Sequence, residues 1–518
     1  MQKKIQEHEP NIMHMTHLHF RHGINLSAGR FLLPVFLLLA LPLAAHVGSP
    51  DVYFDGHAGP YQLMVTIRPP AMIPGVAEIE VRSSDPGLYS IKGVPMYIVG
   101  EGSKYPPAPD PLQRSNDDPQ FFTGRLWIMG SGSWQVRLEA EGTQGSGTLA
   151  VPVPAAARRT LPMLRSLGVF LFAVMIFLVA ALVIMLGAGS REAFLAPGEQ
   201  PLPANRRRAW LVMGLAAVAL AAILFGGNWW WNSEADGRAR GMIYKPPALT
   251  PSLDGHGNLL LKMATSRWHS NRSVIVGTRL IPDHGHLMHL FLIRSPQADC
   301  FYHLHPEMSD KSDPPTFTQT LPSLPAGHYQ IFADIVRASG FPDTMTAEID
   351  LPETTGAPLT GDDSEIVTAA ITPSVTSGNT AELSDGSHMI WTHDATPLRA
   401  GKAILFRFRV DDKNGKPATD LEPYMGMAGH AVFLDHDRSV FAHVHPEGSV
   451  AMAAMALLEP QNQAEQGRPM MAMHHAMESS PKVSFPWGFP KAGDYRIFVQ
   501  VRKSGRVETG VFDTHVVE

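Results

Sequence analysis

Two short segments, FYHLHPE (301–307) and FAHVHPE (441–447), each set two histidines two residues apart. Side chains on an extended strand repeat with period 2, so His303 and His305 share one face, as do His443 and His445. Two imidazoles on one face can reach one ion, and imidazole suits copper, zinc and nickel. The alternate positions, Cys300, Tyr302 and Leu304 in one segment and Val440, Ala442 and Val444 in the other, read as core. Cys300 is the chain's single cysteine, which excludes an internal disulfide and every multi-cysteine metal site. The proline after each pair ends the strand. Glu307 or Glu447 could then be a carboxylate ligand, or could orient a ligating imidazole from behind.

One His-x-His pair could be an ordinary surface feature. Here the pair recurs, and the residues upstream of each copy align without a gap. LIPDHGHLMHLFLI (280–293) matches LEPYMGMAGHAVFL (421–434), and LPAGHYQIF (324–332) matches PKAGDYRIF (490–498). The chain therefore uses one unit twice. The first copy carries His284, His286 and His289, and the second carries Met425, Met427 and His430 at the same places. Thioethers select copper(I), whereas imidazoles also accept copper(II) or zinc. This predicts a harder, His-rich site in residues 251–353 and a softer Met/His site in 380–518, with copper as the cofactor and zinc as runner-up.

Weaker signals agree. Residues 451–480 include Met452, Met455, Met470, Met471, Met473, His474, His475 and Met477, a composition able to capture copper at low specificity. Cleavage after Ala45 would leave His46 at a new N-terminus, where amine and imidazole chelate copper(II), with His57 near in sequence. Most other histidines read as surface residues.

The positioning elements follow from composition. With 45 Gly, 44 Pro and only 17% charged residues, the chain suits short strands joined by turns. Period-2 alternation marks strands at 61–67, 77–83 and 133–141. The expected fold class is mainly β, with three β-sandwich domains at 46–157, 251–353 and 380–518. Residues 234–250 and 354–379 read as linkers, the second Ser/Thr/Gly/Pro-rich. Two charge-free apolar runs, Ser166–Ser190 and Ala209–Ser233, are long enough to cross a bilayer as helices. They lie in expected transmembrane helices at 158–190 and 209–233, and the second ends in Trp229, Trp230 and Trp231, suited to the headgroup interface. Neither run holds an ionisable group, which argues against a transporter or proton pump.

Residues 1–45 read as a leader whose apolar run, 31–45, is a signal peptide or anchor. Arg191, Arg206, Arg207 and Arg208 place the 191–208 loop in the cytoplasm, with the large β parts on the periplasmic, extracytoplasmic side of the cytoplasmic membrane. A net charge of −6 gives no reason to expect nucleic acid as a partner.

PYMGMAGH, FAHVHPE and KAGDYRIF (423–430, 441–447, 491–498) resemble bacterial extracytoplasmic proteins with YtkA-like or CopC-like domains. The resemblance covers about the last half of the chain. It implies immunoglobulin-like sandwiches and a role in copper binding or resistance, carried by Met425, Met427, His430, His443 and His445. His284 and His286 depart from that pattern. With no nucleophile–base set and no cofactor-binding motif in the sequence, the expected role is copper binding for tolerance, storage or delivery to a copper-dependent membrane enzyme or transporter rather than catalysis. Two alternatives stand beside it: a cupin-like metal-dependent enzyme, since those also use His-x-His with a glutamate, and a structural or adhesive sandwich that binds no metal.

Overall fold

The computed structural model describes residues 50–264, 279–309, 315–372, 376, 378–393, 397–458 and 480–518. The leader, His46 and most of the Met/His-rich tract lie outside them. The protein is mainly β, 46% strand against 18% helix, and among the described residues the strands lie in six sheets. The sheets pair around three hydrophobic cores.

The first pair packs a five-stranded sheet, beginning Val52–Ala58, Tyr61–Arg68 and Gly75–Ser83, against a four-stranded one built on Leu88–Tyr97, Gly132–Gly142 and Gly145–Ala155. All three strands expected from alternation are present. Tyr61, Leu63, Val65 and Ile67 are buried while Gln62 between them is exposed, which is the period-2 pattern of a strand with one face on a core.

Two helices, Arg165–Glu192 and Pro203–Met242, follow the first sheet pair. Both are long and apolar enough to cross a membrane, and their side chains are almost wholly exposed. Each helix extends beyond the apolar run read from sequence. The basic residues Arg191 and Arg206–Arg208 cluster at the hairpin's turn end.

The second and third sheet pairs are built alike. In the second, the strand His289–Arg294 lies between Cys300–Leu304 and Gly327–Arg337. In the third, His430–Asp435 lies between Phe441–Val444 and Gly493–Lys503. The register is the same in both: Phe291 pairs with His303 and Val432 with His443, while His289 pairs with Asp334 and His430 with Gln500. The repeat read from sequence is thus a repeat of pairing as well.

The central strands are buried on both faces. Leu290 and Leu292, like Ala431 and Phe433, point into their own cores. Phe291 and Ile293, like Val432 and Leu434, point into a separate apolar layer shared by the two sheet pairs, which also holds Phe301, Phe332, Phe441 and Phe498. Phe301 stacks on Phe498 at 4.2 Å between ring centroids, and Phe332 stacks on Phe441 at 4.2 Å. In the alignment Phe301 corresponds to Phe441 and Phe332 to Phe498. The contacts are therefore reciprocal, and an approximate two-fold relates the two sandwiches.

The 354–379 stretch does more than connect. Its residues Ser364–Val367 form an edge strand on Cys300–Leu304, and Ile371 enters the shared apolar layer. Backbone donors and acceptors along an edge are free to pair with any extended segment nearby, and here the linker supplies it.

Candidate metal centre

The His-x-His pairs face the neighbouring sandwich. His303, His289, His430 and His445 are all at most 3% exposed. Cys300, Tyr302 and Leu304 fill the opposite face as core, and burial pushes the Cys300 thiol up to about 11, as suits a packed apolar position.

Eight imidazoles gather where the two sandwiches meet: His284, His286, His289, His303, His305, His430, His443 and His445. Among the described residues, two groups of three bring one ring nitrogen from each member within 4.8 Å of the others: His289, His303 and His305, and His284, His430 and His445. The first group lies within one repeat. The second is composite, because His284 crosses from the first repeat to the second. The expectation of a self-contained site in each repeat is corrected by this crossing, which sequence spacing cannot reveal.

Hydrogen bonds to pure acceptors fix how most of these rings are protonated. His289 Nε2–H donates to the Asp283 carbonyl (3.1 Å), His284 Nδ1–H to the Met425 carbonyl (3.0 Å) and His445 Nδ1–H to the Val450 carbonyl (3.0 Å). His305 Nδ1–H donates to Asp363 Oδ1 (2.8 Å) and His303 Nδ1–H to Gln500 Oε1 (2.9 Å). The remaining nitrogen on each ring then carries a lone pair. His289 Nδ1 lies 3.2 Å from both His303 Nε2 and His305 Nε2, and His284 Nε2 lies 3.3 Å from His445 Nε2. Lone pairs that converge while the outer N–H groups are held from behind form an arrangement able to hold a metal ion, with groups placed to orient its ligands.

Neutral imidazole is also the protonation state that binds metal. Burial, then the neighbouring imidazoles, holds His289, His303, His430 and His445 well below the usual histidine range, and His443 is pushed down to about 3. His284 and His305 shift the same way, again mainly through burial.

The other predicted ligands take different places. His443 belongs to neither group of three. Its ring lies 5.3 Å from both His289 and His430, its Nδ1 faces Asp334 Oδ2 at 3.4 Å, and its Nε2 is buried with no hydrogen-bond partner among the described residues. Both ring nitrogens of His430 are likewise buried with no hydrogen-bond partner among the described residues. His286 stacks on His305 at 3.9 Å and pairs with Asp362. Met425 offers its carbonyl to His284, and Met427 is buried beneath the same turn. Glu307 is exposed, and Glu447 is half-buried with its carboxylate raised by desolvation; neither enters a group of three.

Both turns before the central strands share one geometry. Asp283 and His286 exchange backbone hydrogen bonds, as do Tyr424 and Met427. The turn residues have positive φ: 51° at His284, 88° at Gly285, 50° at Met425 and 83° at Gly426. Positive φ at both central positions is the signature of a type I′ turn and explains the glycine common to the two copies.

Sequence reasoning missed the supporting groups. Asp362 and Asp363 come from the stretch read as a linker, where the adjacent acidic pair was the only available signal. Asp334 and Gln500 sit at equivalent positions, each beside the central histidine of its own repeat and each facing a histidine of the other. Burial raises Asp334 to about 7, with Thr344 opposing. The first sandwich also reaches the centre: Asp55 N–H donates to the Glu447 carbonyl, Ser449 N–H to the Tyr53 carbonyl, and Val450 joins the first core. The loop carrying His445 is thereby pinned. A short helix, Met452–Ala456, closes that side, where Ala453 N–H donates to Asp283 Oδ1 at 2.6 Å.

Residues 381–518 match the profile of a family described as a domain of unknown function, DUF8832. No curated protein matches. Solved structures align only loosely. Latent PorU from Porphyromonas gingivalis is 9% identical with a TM-score of 0.14, the alignment covering 90% of this chain and 34% of that one. A tetra-tandem repeat of a large adhesion protein is 8% identical (TM-score 0.15, 89% and 82% covered), and a marsupial T cell receptor 7% (TM-score 0.16, 88% and 99%). The chain spans about a third of the PorU chain. At these scores the likenesses carry no argument about this protein.

Proposed function

We propose that this protein is a membrane-tethered, extracytoplasmic copper-binding protein, built on three immunoglobulin-like sandwiches and serving copper tolerance, storage or delivery to a membrane enzyme or transporter. The observation that carries the reading is the convergence of ring nitrogens at 3.2–3.3 Å while the opposite nitrogens donate outward. Such a buried imidazole set suits copper, with zinc second. The fold supports the sidedness: the first and third sandwiches touch, since Tyr53 enters the third core, so the two apolar helices between them return the chain to one side. The arginines at the hairpin turn favour a cytoplasmic turn and sandwiches outside.

The test is competitive titration of the full chain in detergent with copper(I), copper(II) and zinc(II). Tight copper uptake that is lost when His289→Ala and His430→Ala are combined supports the reading. Uptake no greater than that of the doubly substituted protein sinks it.

A further inference from the structure

The two groups of three differ in origin, and the approximate two-fold says what completes them. We infer that the centre holds two copper ions and that the two sandwiches exchange their turn ligands, His284 serving the His430–His445 side and the Met425 thioether serving the His289–His305 side. This rests on the copper reading above.

Four reciprocal contacts define the two-fold. Phe301 stacks on Phe498 and Phe441 on Phe332; His303 bonds Gln500 and His443 faces Asp334. In each couple the partners exchange places under the alignment. The same operation relates His289 to His430, His305 to His445, and His284 to Met425. His284 sets its ring 4.9 Å from His445 and 5.1 Å from His430. Met425 sits on a turn of the same hydrogen bonding and the same positive φ. The operation that lays His284 over His430 and His445 therefore directs Met425 toward His289 and His305.

The ligand sets are then unequal. One has three imidazoles of the second sandwich and a thioether from the third, which favours copper(I). The other has His430 and His445 with His284 from the second, an all-imidazole set that also holds copper(II). Between them stands His443, 5.3 Å from a ring of each group, its buried Nε2 without a hydrogen-bond partner among the described residues. Two ions so placed are neighbours, separated by side chains of the centre itself.

The experiment loads the full chain in detergent with copper(I) and counts ions per chain, with X-ray absorption reading the ligand shell. Two ions per chain and a sulfur shell are expected. Met425→Leu should abolish the sulfur shell and weaken one of the two ions about tenfold or more, while Met427→Leu keeps it. His284→Ala should leave one tight ion. Because substitution in a strained turn can disturb folding, Met425→His provides a second route: it should hold two ions with no sulfur shell. One ion per chain in the unaltered protein, or a sulfur shell that survives in Met425→Leu, overturns the inference while leaving a mononuclear copper site standing. No uptake at all would overturn the functional reading instead.

Discussion

The second and third sandwiches place the same strands in the same register and keep three histidines of the centre in common, yet they differ at three other positions there: His284 against Met425, His286 against Met427, and Asp334 against Gln500. A duplicated unit could have kept two closed and equal sites. Instead His284 joins the histidines of the other copy, Asp334 and Gln500 each face a histidine of the other copy, and at all three of these positions the copies differ. Divergence in a repeat is cheapest where a side chain crosses the two-fold, because there one substitution alters the partner's surroundings without disturbing its own core.

The comparison can be broken most severely at the aromatic layer. Phe301→Ala and Phe441→Ala should each cost about 3–5 kcal/mol in denaturant unfolding, through lost burial and a residual cavity. If the two-fold organises the interface, the two costs should be similar; a large cost for one and a negligible cost for the other would break it.

Acid should loosen the same interface. The buried histidines are depressed in the folded state, so on acidification the unfolded chain takes up protons first. Stability is complete above the unfolded value near 6.5 and falls as pH drops below it toward each folded value. His443, folded at about 3, loses about 2 kcal/mol between pH 7 and pH 5, and Asp334 beside it, raised to about 7, gains a similar amount on the same acidification, so the net loss is carried by the other buried histidines. Unfolding of the metal-free protein at the two pH values measures this, and equal stability at both would show that the imidazoles are not buried as described.

A smaller effect separates the equivalent polar positions. Gln500→Leu strips His303 of its acceptor and should cost about 1–3 kcal/mol while weakening copper about 10–100-fold. The matched change Asp334→Leu acts on His443, outside either group of three, and should affect affinity less; calorimetric titration of both variants decides the ranking. The smallest expected effect is on stability in Met425→His, below about 1 kcal/mol because the turn already accepts a histidine at the equivalent His284.

The strands at 61–67, 77–83 and 133–141, the two apolar helices and the repeat were legible because alternation, hydropathy and aligned motifs are local properties. The eight histidines of the centre were legible for the same reason: their spacing puts them on strands and tight turns. Asp334, Gln500, Asp362 and Asp363 were not, since a lone polar residue in a strand or linker carries no spacing signal. The placement of His284 was misread because an alignment of two copies pairs equivalent residues, whereas a two-fold interface brings non-equivalent ones together.

The sequence by itself determined which faces of which strands carry imidazoles, that two copies of one unit exist, and that apolar helices lie between them and the first sandwich. Only the tertiary structure decided that the two histidine-bearing faces meet each other rather than solvent. Strand periodicity specifies a direction for each side chain but not what lies there. That was set by burial of the phenylalanines next to the histidines, whose apolar area drives the two sheets together and carries the imidazoles with them.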